Sequence, residues 1–174
     1  MNTLLEILKY ILPSLVVFAA CWFPLKALLS HNEISKSLQI RLEMQKTTLP
    51  VRMQAYERLV LLLERLQPAG LILRTNTAGM SAVSLHTALL QAIREEFDHN
   101  LSQQLYVSVQ AWELVKNSRE ETIKMVNTAG SKMEAEATSA DLAGQIFVLD
   151  METNPAMTLQ AIDFLKKEAR EYFF

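Results

Sequence analysis

Between Lys9 and Lys26 the chain carries sixteen uncharged residues, YILPSLVVFAACWFPL. Counted on through Lys26 to Leu29, the segment reaches about twenty residues, which as a helix spans roughly 30 Å, the thickness of one hydrocarbon core. Tyr10 and Trp22 lie toward its ends, as interfacial aromatics do, and Lys26 can reach back to headgroups. Pro13 and Pro24 are tolerable in a membrane helix. The reading is a transmembrane anchor over residues 1–29, with residues 10–29 in contact with the lipid bilayer. Basic residues set its orientation: Lys36, Arg41, Lys46 and Arg52 follow the segment, whereas Lys9 alone precedes it. The expected address is therefore a bacterial inner membrane, crossed once, with the N-terminus outside and the bulk of the chain in the cytoplasm.

The same stretch contains the single cysteine, Cys21, preceded by FAA. An alternative is an envelope lipoprotein acylated at Cys21. Phe18 stands where a lipoprotein signal carries a small aliphatic residue, the N-terminus is poor in basic residues, and WFPLKALL after the cysteine is not a polar tether. An uncleaved span fits better, and a third reading places the segment in the core of a soluble domain. One cysteine permits no intramolecular disulfide, which excludes a disulfide-stapled secreted domain.

Beyond the segment the chain reads as helix. Half of its residues are apolar, and it has four glycines and five prolines. Residues 30–48 form a polar helical stem with Ile34, Leu38 and Leu42 along one side. The stem packs on its own domain or self-associates. Pro50 suits the first position of a new helix, on which Leu49, Met53, Tyr56, Val60 and Leu63 make an inward seam. After a connector containing a short element over 71–74, Ser81 caps a helix with Leu85, Leu89, Ala92, Ile93 and Phe97 inward. A long helix follows over 101–130, with Leu105, Val109, Trp112, Val115, Ile123 and Val126 inward. Another begins near Ser139 with Asp141 in its first turn. The last has Asn154 and Pro155 at its start, and Leu159, Ile162, Leu165, Ala169 and Tyr172 inward. The expected architecture is all-α: an anchor (1–29), a stem (30–48), and a bundle of four to five helices (49–174).

The stretch QAYERLVLLLERLQPAGLILR (54–74), followed by EEFDHNLSQQLYVS and the AW pair (95–112), resembles a family of small, uncharacterised bacterial membrane proteins. That resemblance implies one N-terminal span and a helical cytoplasmic domain. It implies no activity and no functional residues.

Little chemistry is legible. Net charge is −2, split as +3 over residues 30–75 and −6 over 76–174, so nucleic acid is not an expected partner. Glu96 and His99 stand three apart on one helix, the spacing that supplies ligands in di-iron bundles. They are the candidate metal ligands, against a reading in which His99 interacts with a helix C-terminus. No phosphate loop or nucleophilic triad is present, and no cofactor is expected. Tyr172, Phe173 and Phe174 end the chain as an apolar group that docks on the bundle or inserts into a partner. The function these features favour is a membrane-anchored, non-enzymatic interaction or scaffold module that binds an unknown protein partner or itself. A metal-binding bundle or enzyme using Glu96 and His99 is the alternative.

Overall fold

The structure, a computed structural model, describes the backbone of residues 2–152 and 157–173, and the side chains of 15–18, 20–26, 43, 46–152 and 157–172. Among these residues the chain is all-helical, with six α-helices and one 3-10 helix. It divides into two compact units, Met1–Thr48 and Leu49–Phe174.

Helix α1 (Asn2–Leu66) occupies the first unit and continues into the second. The restart expected at Pro50 does not occur. Proline removes one backbone hydrogen bond, and here the loss falls among exposed residues 46–51, where water can satisfy the freed carbonyl. Among the described residues no helix is long and apolar enough to cross a membrane. This overturns the expected transmembrane anchor over residues 1–29, and with it the single-pass inner-membrane address. The physical reason lies in the count. The uncharged run has sixteen residues, under the roughly 17–25 that a span needs, and reaches twenty only by passing Lys26. Pro13, Ser14 and Pro24 dilute it further. Trp22 and Lys26 are exposed on α1, whereas the side chain of Tyr10 lies outside the described residues. Cys21 is an exposed free thiol within the unbroken helix.

The second unit is a bundle. The C-terminal part of α1 buries Tyr56, Leu59, Leu62, Leu63 and Leu66. Leu49 and Met53, expected on this seam, are exposed, because the core stripe begins only at Ala55. Helix α2 (Pro68–Thr75) opens with its proline in the first turn and buries Leu71 and Ile72. A turn through Gly79, at φ +80°, leads to α3 (Ala82–Asn100). Ser81 caps α3 by accepting from the Ser84 N–H at 3.2 Å, and Leu85, Leu89, Ile93 and Phe97 are buried as their period predicts.

The single helix expected over 101–130 is two elements. A 3-10 helix (Leu101–Leu105) precedes α4 (Val109–Ser131), whose cap, Ser108, accepts from the Ala111 N–H at 3.1 Å. The interruption resets the helical register, so Leu105 and Val109 face solvent, while Trp112, Val115 and Val126 stay in the core. Helix α5 (Ser139–Glu152) starts in a reciprocal cap: the Thr138 N–H donates to the Asp141 carboxylate at 2.8 Å, and the Asp141 N–H to the Thr138 hydroxyl at 3.3 Å. An antiparallel bridge, Ser81 to Thr138, ties the starts of α3 and α5 together. Helix α6 is Met157–Phe173; the cap expected at Asn154 and Pro155 lies outside the described residues. On α6, Ala161, Ile162 and Leu165 are buried, but Leu159 and Tyr172, expected inward, are exposed. Helix α4 packs on α3, α5 and α6, and α3 also packs on α2 and α5.

Candidate interaction surface

Two features of the second unit involve α1 and α6. The first is a buried polar clamp centred on Glu168, which is only 8% exposed. Its carboxylate accepts from the Tyr56 hydroxyl on α1. It also accepts from the Ser108 N–H at 3.2 Å and from the Ser108 hydroxyl at 2.5 Å. One serine thus caps α4 and binds α6 at once. Burial, and the carboxylate beside it, push the Tyr56 phenol well above the usual tyrosine range. Next to this clamp, Arg52 donates from Nε to the Tyr106 carbonyl at 3.2 Å, and its guanidinium lies 4.4 Å from the centre of the Tyr172 ring. With both oxygens engaged by protein donors, Glu168 has a structural role, joining α1, the turn before α4, and α6.

The second feature is a groove between α1 and α6 of about 420 Å³. Met53, Val60, Leu61, Leu165 and Ala169 line its apolar part. Leu61 is 59% exposed, far from the nearly complete burial of its neighbours Leu62 and Leu63. Glu57 and Glu64 border the groove from α1, and Lys166 and Arg170 from α6. Among the described residues no ion pair joins the two rims. An apolar floor between rims of opposite charge can hold an amphipathic segment. The groove runs alongside residues 53–64 of α1, about three helical turns.

Glu96 and His99 do not converge on a shared ligand position. Arg65 donates to the Glu96 carboxylate through both Nε, at 2.7 Å, and Nη2, and Arg74 Nη2 stands 3.7 Å away. The hydrogen bonds from Arg65 hold the Glu96 carboxyl below the usual carboxylate range. His99 Nδ1 is 2.7 Å from the Glu95 carbonyl, to which it donates. Guanidinium groups already occupy the electrostatic role that a cation would take. Among the described residues no group of three or more His, Cys, Asp or Glu side chains is placed to hold a metal ion.

Of the C-terminal aromatic group, the Tyr172 ring packs under Arg52 while remaining half-exposed. Phe174 and the Phe173 side chain lie outside the described residues. Neither the clamp nor the groove was expected from sequence. A signal for the first existed: Ala161, Leu165 and Glu168 recur at four and three residues, so a carboxylate falls on a core stripe. The helical period leaves Leu61 off the inward seam, but nothing in the sequence shows that α6 lies beside it.

Residues 2–172 match the model of a family of unknown function, DUF7935, and the chain belongs to that family. Membership agrees with the expected resemblance to an uncharacterised family; neither a bacterial source nor a membrane topology follows from it. No curated protein and no solved structure matches the chain.

Proposed function

We propose that this member of DUF7935 is a non-enzymatic interaction module, and that the groove between α1 and α6 is where a partner binds. The observation that carries the reading is Leu61, a large apolar side chain left 59% exposed on the lining of an apolar concavity. Water-exposed leucine costs little alone, but set in a rimmed groove it marks a docking surface. The fitting occupant is an amphipathic helix of a partner protein, with about three turns of apolar stripe. Its basic flank lies against Glu57 and Glu64, and its acidic flank against Lys166 and Arg170.

Three designed helical peptides sharing one apolar stripe test this: one with a basic and an acidic flank, one with two basic flanks, and one with two acidic flanks. The mixed peptide is expected to bind best, by a few-fold over the others, because exposed ion pairs contribute at most about 1 kcal/mol. Leu61→Asp should weaken binding of all three by tenfold or more. Equal binding of all three peptides, unaffected by Leu61→Asp, would overturn the proposal.

A further inference from the structure

Arg58, Leu61, Leu62 and Arg65 follow one another at three, one and three residues along α1, so they share one face of the helix over two turns. With Glu96, His99 and Asn100 from the end of α3 they line an open hollow of about 440 Å³. That volume lies in the range of small-molecule sites, about 300–1,000 Å³. Leu61 also lines the groove described above, but the hollow is closed by α3 and the groove by α6.

The charge around this hollow is unbalanced. Arg65 and Arg74 both approach Oε1 of Glu96, so two guanidinium groups share one carboxylate. Arg58 is exposed and, among the described residues, makes no ion pair. Three arginines thus stand against a single acid, an excess of two positive charges. Burial and the Arg65 guanidinium lower the pKa of Arg74, and Glu96 offsets this only in part. Neighbouring acids are turned elsewhere: Glu57 and Glu64 border the groove, and Glu95 accepts from Gln91 Nε2 at 2.8 Å. The end of α3 would itself repel an anion through its free carbonyls. Here they are taken, by His99 Nδ1 on Glu95, Asn100 Nδ2 on Glu96 and the Leu101 N–H on Asp98.

We infer that the hollow between α1 and α3 binds the phosphoryl group of a small organic phosphate ester. Arg58 offers a planar fork of N–H donors that matches two phosphate oxygens. Arg65 adds positive charge while keeping its bonds to Glu96. A phosphate monoester, close to doubly charged at neutral pH, meets the excess of two charges; a carboxylate meets only half of it. The open side chain of Leu61 gives the organic part of the ester an apolar wall, which a bare inorganic anion leaves wet. The site uses α3 and a small anion rather than α6 and a helix, so it does not rest on the groove, and either reading can fail while the other stands.

The test is calorimetric titration of the full chain with phenyl phosphate at about pH 7.5, where a phosphate monoester is almost fully ionised. Saturable binding at one site per chain is expected, several-fold tighter than that of inorganic phosphate or benzoate. Arg58→Gln should weaken it by about tenfold, the loss of a charge-assisted pair of hydrogen bonds. Because Arg58 is exposed and unpaired, its helical circular dichroism and urea midpoint should stay unchanged. Arg58→Lys keeps the charge without the fork and should fall between the two. Lys132→Gln, which removes an exposed charge at the end of α4, should leave binding intact. Absence of saturable binding overturns the inference. So does a loss as large in Lys132→Gln as in Arg58→Gln, or benzoate or inorganic phosphate binding as tightly as phenyl phosphate.

Discussion

Glu168 shows how one side chain can organise a bundle. Its carboxylate is buried, accepts from Tyr56 and twice from Ser108, and so ties three parts of the chain together. Glu168→Ala removes the acceptor of the Tyr56 hydroxyl and of the Ser108 N–H and hydroxyl. It should cost about 2–3 kcal/mol of stability, read as a lower urea midpoint at unchanged slope. Tyr56→Phe keeps both Ser108 bonds and should cost nearer to about 1 kcal/mol. A second residue-scale prediction concerns acid. Glu96, held by Arg65, and Asp141, held by Thr138, both titrate below their ordinary values. The unfolded chain therefore takes up protons at a higher pH than the folded one. The stability these groups contribute is present above the unfolded carboxylate range, near about 4–4.5, and is lost as pH falls through the folded values. Urea midpoints measured from pH 6 down to 3 should fall more steeply for the unaltered chain than for Glu96→Gln. Tyr56 works in the opposite sense: its raised phenol favours the fold below about pH 10, and that contribution is lost as pH climbs through the folded value.

Among the elements, α1 departs furthest from what its residues suggest locally. A proline at position 50, with threonines at 47 and 48, has the signature of a helix start, yet the helix passes through. Propensity is a weak prior, and an exposed proline can be absorbed when both flanking segments are helical. Pro50→Ala restores a backbone donor at an exposed position. Slower amide exchange across residues 46–54 is expected, with a gain in stability of at most about 3 kcal/mol; unchanged exchange would show that the proline costs the helix nothing there. Helix α3 is the contrasting case. Its Ser81 cap and its buried Leu85, Leu89, Ile93 and Phe97 were legible because an amphipathic period and a polar cap coincide. In α4 the cap, Ser108, was equally present in sequence but was hidden inside a run that reads as continuous helix.

At the scale of the whole molecule, residues 49–174 hold the core, from Leu59 and Leu63 of α1 to Leu165 of α6. A fragment spanning 49–174 should unfold cooperatively on its own. It retains one of the two tryptophans, Trp112, whose packing against Phe97 at 5.4 Å makes near-ultraviolet circular dichroism a direct report on the core. A non-cooperative melt would mean that the first unit completes the fold. Composition and apolar period determined, without any structure, that this chain is helical, which face of α3 is buried, and that the middle of α4 faces the core. They did so because helix formation and burial of a stripe are local, repeating properties. Tertiary structure alone decided which donors close on the Glu168 carboxylate, and that Glu96 belongs to Arg65. Each of those outcomes depends on which residue of a distant helix arrives opposite, and the sequence around a side chain does not contain that neighbour.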